Sequence, residues 1–348
     1  MSETSVKAVD WSGMKFVIAE EMGERMDVVY HRYLHKTQEN QYFLVNHKYY
    51  DGVGGFTHLL EHYFGFRYKK MPEMKAVAEL SFWQKLQKLW KFIKLTRKIP
   101  IKWRTSRTDT TGEALGHVVA FIDQDKMQNL EERFKAQSAS LNSVLFWALD
   151  KAVQKQLLTS DSARKWICPV NMRGAVKVDD PYGNIAASVV MNFEAEMSPK
   201  EIHQNYRDYF RAQIYMGSWL YTNMARFIGL WGTRKIARKL KELGVGVYSN
   251  MGPWPCPTYE RTKPEVPDEN WAGVPPCSQI LPVGFGAFQW EGKLSVTLIL
   301  HPSLGKSLQE AEALLREGMS LFFDGDLNGV EFVTTTTKEL DQKAKRIA

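Results

Sequence analysis

The most constraining feature of the sequence is a strand that runs into a glycine-studded turn and then a helix. Residues Gln41–His47 read as a β-strand, Asp51-Gly52-Val53-Gly54-Gly55 as the turn and Phe56–Phe64 as a short helix. His47 therefore caps a strand, and Asp51 stands four residues on, where a turn can swing it beneath the imidazole or toward an arginine. Gly52 permits that turn by tolerating positive φ. Around this joint, strands are expected at Lys15–Ala19, Met26–Tyr33, His117–Ile122, Trp166–Val170, Ile185–Phe193, Gly246–Ser249, Ala287–Gln289 and Leu294–Leu300. Helices are expected over about Met74–Lys98, Gln124–Gln137, Ser140–Gln156, Pro199–Leu243 and Ser307–Leu321, with Pro253–Pro282 a proline-rich loop. That order predicts an α/β or α+β protein with mixed sheets.

A chain of 348 residues is long for one compact core, and two lobes are expected, residues 1–105 and 106–348. With 44% hydrophobic and 24% charged residues, the composition excludes disordered and fibrous classes. A net charge of +7 favours anionic partners: phosphate-bearing cofactors, acidic membrane surfaces or nucleic acid. Cys168, Cys256 and Cys277 are odd in number and lack paired spacing, which argues against a zinc ribbon or a disulfide scaffold. Met1-Ser2-Glu3-Thr4 begins no signal-peptide pattern, and no apolar stretch reaches the roughly eighteen residues a membrane span needs. The expected location is cytoplasmic.

Histidine suits general-base work near neutral pH, and acyl transfer from a thioester to a hydroxyl or amine needs such a base. Taken alone, His47 and Asp51 read more readily as an exposed histidine followed by an Asp-Gly turn. More of the chain bears on the choice. Asn46-His47-Lys48-Tyr49-Tyr50-Asp51-Gly52-Val53-Gly54-Gly55 is followed by Leu59-Leu60, and Ser140-Leu141-Asn142-Ser143-Val144-Leu145 opens a later helix. Pro169-Val170-Asn171-Met172-Arg173-Gly174 precedes Gly183-Asn184, and Tyr248-Ser249-Asn250-Met251-Gly252-Pro253 comes after them. In this order the segments resemble bacterial wax ester synthase/diacylglycerol acyltransferases and, more distantly, the condensation domains of peptide synthetases, a superfamily marked by His-x-x-x-Asp-Gly. The resemblance runs from residue 27 to about 322, taking in the strand Gly292–Thr297.

The resemblance implies the two-lobed chloramphenicol acetyltransferase-like fold, with a tunnel between lobes that brings acyl-CoA and acceptor to His47 from opposite sides. It implies His47 as the base, with Asp51 orienting the site through an ion pair for which Arg173 is the candidate cation; an arginine fork suits a carboxylate. Gly52, Asn184, Ser249 and Asn250 would bind substrate or stabilise the oxyanion, as backbone amides also can. No bound cofactor is implied; acyl-CoA is a co-substrate, and the acceptor is an apolar lipid or alcohol. Asn46 stands where the double-histidine version has its first histidine, and Ser143 where the family has aspartate. His47 is reached after only 46 residues, a shorter first lobe than in lipid-transferring relatives. Either part of the acceptor wall is missing or a partner chain supplies it.

His58-Leu59-Leu60-Glu61-His62 also matches the His-x-x-Glu-His pattern of inverted zinc peptidases, the alternative from another class, with Glu113, Glu131 and Glu132 as undistinguished choices for a third ligand. A third reading is a non-catalytic lipid-binding or scaffold relative. Within residues 82–98, Phe82, Trp83, Leu86, Leu89, Trp90 and Ile93 share one arc, with Lys85, Lys88, Lys91, Lys94 and Lys98 outside it and Phe92 and Leu95 breaking the polar face. Such a stripe either packs on the core or meets a membrane interface as a peripheral contact. Trp219, Phe227 and Trp231, followed by Arg234, Lys235, Arg238 and Lys239, repeat the character. No nucleic-acid-binding motif accompanies these charges, so nucleic acid is not an expected partner.

Overall fold

A computed structural model describes residues 13–75, 79–97, 99–108, 110, 112–128, 130–193, 197–238, 242–255, 259–261 and 268–347. Lys98, Lys239, Cys256 and the Glu131 side chain lie outside the described residues. The first element is a helix, α1 (Met14–Glu21), where a strand was expected over Lys15–Ala19. Among the described residues it pairs with no strand. The following strand β1 (Asp27–Leu34) is flanked on both sides, by β2 (Glu39–Asn46) and by residues 269–274. Helix α1 instead buries Ile18 and lays Phe16 on His47.

Helix α2 (Gly52–Tyr63) begins four residues earlier than expected, because Asp51 caps it: its Oδ1 accepts from Gly54 N at 2.7 Å. Gly52, Gly54 and Gly55 thus lie inside the first turn, none of them in the left-handed region, so the positive φ expected of Gly52 is not used. Gly54 is required for space. A Cβ there would stand 2.1 Å from the Tyr182 carbonyl oxygen.

After β3 (Phe66–Tyr68), helix α3 (Phe82–Leu95) starts later than Met74, where Ser81 and Gln84 form a reciprocal capping box. Its faces are reversed from a core-packed stripe. Phe92, one of the two residues that interrupted the basic side, is the buried one, while Phe82, Trp83, Leu86 and Trp90 are exposed.

Next come β4 (Gly116–Ile122), α4 (Gln124–Met127), α5 (Leu130–Ala136), α6 (Leu141–Leu157), β5 (Arg164–Asn171) and β6 (Ala186–Phe193). The expected helical region Pro199–Leu243 divides into α7 (Pro199–Arg211), α8 (Ile214–Asn223) and α9 (Ala225–Ala237), the last kinked at Gly229, whose φ is 66°. The chain continues through β7 (Gly246–Trp254), β8 (Tyr259–Arg261), β9 (Glu269–Val274), β10 (Val283–Trp290), β11 (Lys293–Leu300), α10 (Leu308–Phe322), β12 (Val330–Thr336), α11 (Thr337–Lys343) and β13 (Lys345–Ile347). Two of these strands, β8 and β9, lie within the supposed loop Pro253–Pro282.

The fold is mixed α/β with mixed sheets. Seven strands align as β12-β4-β11-β10-β7-β5-β6, with β7 parallel to both neighbours and the other pairs antiparallel. Helices α6 and α10 cover one face through Leu145, Leu149, Leu314 and Leu315. The smaller sheet, β13-β2-β1-β9, sits against the other face. Ser295 and Thr297 on β11 donate to the carbonyls of Trp271 and Gly273 on β9 at 2.7 and 2.9 Å. Gly286 lets β9 come this close, since a Cβ there would stand 2.0 Å from the Gly273 oxygen. The small sheet joins β1 and β2 with β9 and β13, which come from beyond residue 105. No helix among the described residues is long and apolar enough to cross a membrane.

Candidate active site

His47 sits just past β2, its amide bonded to the Met26 carbonyl at 3.0 Å. Ring Nδ1 lies 2.7 Å from the Tyr50 carbonyl oxygen. A carbonyl only accepts, so Nδ1 carries the proton and Nε2 carries the ring's lone pair. Phe16 stacks on the imidazole with centroids 4.0 Å apart and planes 24° apart. Asn184 donates to the His47 carbonyl at 2.5 Å, steadying the backbone beneath the ring. Burial lowers the His47 pKa to about 4; the Tyr50 hydrogen bond opposes the shift and nearby Lys15 adds to it. The ring is therefore neutral across the physiological range.

Helix α1 is held over this ring by Glu20, whose carboxylate accepts from Asn46 at 2.8 Å and pairs with Lys48 at 3.0 Å. Asn46 thus anchors the helix that carries Phe16.

Asp51 is 3% exposed and receives three donors: Gly54 N at 2.7 Å, Ile185 N at 2.7 Å and Arg173 Nη1 at 2.9 Å. The ion pair with Arg173 joins α2 to the loop after β5. It is a single-armed contact, because Arg173 spreads its other donors over Asn171 Oδ1, the Pro181 carbonyl and the Gly183 carbonyl at 3.0, 2.7 and 2.9 Å. Among the described residues, the Asp51 carboxylate takes its hydrogen bonds from Gly54, Ile185 and Arg173 and none from His47. Its action on His47 is through position and charge.

Gly52 O accepts from the buried Tyr30 hydroxyl at 2.6 Å, and a Cβ on Gly52 would meet Met251 Sδ at 3.3 Å, so β7 reaches the motif through Met251. Ser249 and Asn250 are not brought to His47 by any described hydrogen bond. The Asn250 amide nitrogen donates to Asn142, its Oδ1 accepts from Gly252 N at 2.8 Å, and the residue lines a cavity of about 470 Å³ with Ser140, Asn142 and His203. His47 does not line that cavity.

His58 and His62 lie side by side on α2, ring centroids 4.2 Å apart. Glu61 between them is occupied: it accepts from Tyr68 N at 3.0 Å and from the Tyr182 hydroxyl. Glu113 pairs with Arg25 at 3.1 Å. Among the described residues no group of three histidine, cysteine, aspartate or glutamate side chains is placed to hold a metal ion.

Sequence reasoning missed Phe16, Tyr50 and Asn171. For Asn171 a signal existed in its place two residues before Arg173. Tyr50 acts through its backbone and leaves no trace in residue type, and Phe16 lay in a segment read as a strand.

No protein-family profile matches the chain, and no curated protein matches it. Among solved structures it is similar to the trichothecene 15-O-acetyltransferase of Fusarium sporotrichioides, at 12% identity and a TM-score of 0.49, over 71% of this chain and 54% of that one. It is similar to the epimerization domain from the third module of tyrocidine synthetase B at 12% identity and a TM-score of 0.49, over 81% and 67% of the two chains. The condensation domain of an enacyloxin polyketide synthase is similar at 14% identity and a TM-score of 0.46, over 81% and 56%. The chain thus spans between about half and two thirds of the length of these structures.

Proposed function

We propose that the chain is an acyltransferase that moves an acyl group from an acyl thioester, acyl-CoA by preference, to the hydroxyl of an apolar acceptor such as a long-chain alcohol or diacylglycerol. The observation that carries this reading is the His47 ring: Nδ1–H is tied to the Tyr50 carbonyl at 2.7 Å, which aims the basic Nε2 away from the backbone. In the reaction Nε2 takes the proton of the acceptor hydroxyl as its oxygen attacks the thioester carbonyl. The tetrahedral intermediate collapses to the ester, and the proton passes to the departing thiolate, giving free thiol. Asp51 and Arg173 hold α2, and with it the turn that carries Tyr50, in register with β5 and β6. Ser249 and Asn250 belong to the acceptor or donor channel in this reading, and Asn184 supports His47 from behind.

The test is release of free CoA from long-chain acyl-CoA in the presence of a panel of alcohols and diacylglycerol. His47→Ala should lower the rate by roughly 10² to 10⁴, the contribution of a positioned base. Full activity in that variant refutes the mechanism. With a base whose pKa is about 4, kcat/KM should stay level through neutral pH and fall only toward that value.

A further inference from the structure

Five aromatic side chains on two helices stand in solvent to an extent that a soluble surface rarely shows. On α3, Phe82 is 68% exposed, Trp83 75% and Trp90 59%; on α9, Phe227 is 83% and Trp231 69% exposed. Leu86, Ile228 and Ile236 are exposed among them. Neither helix contains an aspartate or glutamate; α3 carries Lys85, Lys88, Lys91 and Lys94, and α9 carries Arg226 and Lys235 besides Arg234, whose charge is met by Glu21 of α1. The two helices are joined through α8. Gly217 of α8 meets the Lys88 carbonyl, where a Cβ would stand 2.2 Å away, and Phe92 contacts Tyr221 with centroids 5.7 Å apart. Helix α8 then leads through Met224 into α9.

We infer that α3 and α9 form a docking face for an anionic lipid bilayer, with the aromatic rings entering the interface and the lysines and arginines meeting the lipid phosphates. The charge decides the occupant. Basic residues around protruding tryptophan and phenylalanine match the interfacial layer of an acidic membrane, where rings settle at headgroup depth and each basic residue adds attraction. A second positively charged copy of this chain would set like charges against one another.

The face is also continuous with the candidate site. Arg234 of α9 bonds Glu21 of α1 at 2.8 Å, and α1 is the helix that lays Phe16 on His47. Resting on the acyl-transfer reading, this assigns the acceptor to lipids resident in the bilayer, handed to His47 along the α1–α9 side without crossing water.

The experiment is co-sedimentation of the full chain with phosphatidylcholine vesicles, with and without phosphatidylserine, alongside sedimentation velocity of the protein alone. The expected result is binding that requires phosphatidylserine and weakens with salt. Lys85→Gln and Lys91→Gln should each lower vesicle affinity roughly fivefold, and Trp83→Ser with Trp231→Ser should abolish binding while leaving the circular dichroism unchanged. Absence of binding to any vesicle overturns the inference, as does a wild-type dimer that the tryptophan variant dissociates. His47→Ala should bind vesicles as the wild type does; vesicle binding by a chain without acyl transfer would refute the catalytic reading and leave the docking face standing.

Discussion

Replacing Asp51 by asparagine keeps its shape and should nevertheless cost nearly as much stability as replacing it by alanine. Three donors converge on the carboxylate, from Gly54, Ile185 and Arg173, within 2.9 Å. A carboxylate accepts all three, whereas an amide has one acceptor oxygen and must turn its NH₂ against either Gly54 N–H or the Ile185 and Arg173 pair. Both variants also leave the 3%-exposed Arg173 guanidinium without its counter-charge, although carbonyls of Pro181 and Gly183 and the Asn171 side chain still accept from it. Breaking a buried ion pair from one side typically costs about 3–5 kcal/mol, and losing a helix cap about 1 kcal/mol. With the residual acceptors offsetting part of this, about 4 kcal/mol is expected for Asp51→Ala and within about 1 kcal/mol of that for Asp51→Asn. Urea unfolding followed by circular dichroism measures both, with the m-value checked for constancy. Adding Arg173→Met to Asp51→Ala should cost less than the sum of the single changes, because no lone charge remains buried. A loss below about 1 kcal/mol for Asp51→Asn would refute the account, since it would mean that the charge and the second acceptor oxygen do little.

His31, fully buried with Nε2 2.6 Å from Asn40, has its pKa lowered to about 4 by burial, so the unfolded chain takes up a proton that the folded one refuses. Stability present above pH 6.5 should therefore fall as pH drops toward 4, by about 2 kcal/mol near pH 5 from this residue alone; a flat urea midpoint over that range counts against it. Gly54→Ala should destabilise by about 3 kcal/mol although helix propensity alone favours alanine by about 1 kcal/mol, because the new methyl meets the Tyr182 carbonyl and Arg173; a raised thermal midpoint would contradict the close contact.

The mixed α/β class and most strands were legible because runs of valine, leucine, isoleucine and aromatic residues mark them, as in β1, β2, β4 and β11. Legibility failed where neighbours decide the outcome. The run Lys15–Ala19 has strand-forming residues but pairs with no strand, and β2 over Phe43–Val45 has partners on both sides in β1 and β13. Strand β9 is buried at every position, as β4 is, but its glutamate, asparagine, alanine and glycine are weak strand formers, and its setting among prolines hid it further. The apolar arc of α3 was visible, but not that Phe92 is the residue that packs against Val190 and Ile214. At the site, His47, Asp51, Arg173 and Asn184 were named through the resemblance their segments carry, and they are neighbours in the structure. The backbone carbonyl of Tyr50 and the ring of Phe16, which set the tautomer and cover of His47, were not.

The placement of β13 has a consequence for how the molecule is made. Strand β2, which delivers His47, pairs on its outer edge with Lys345–Ile347, and β1 pairs on its far side with Glu269–Val274. The segment bearing the candidate base precedes both partners in the chain, and β1 and β2 wait for β9 and then for β13 before each has a neighbour on both sides. Such distant pairings are slow to close and leave strand edges open to other chains meanwhile. The strand that carries the candidate base of the proposed reaction thus completes its pairing only through segments far along the chain.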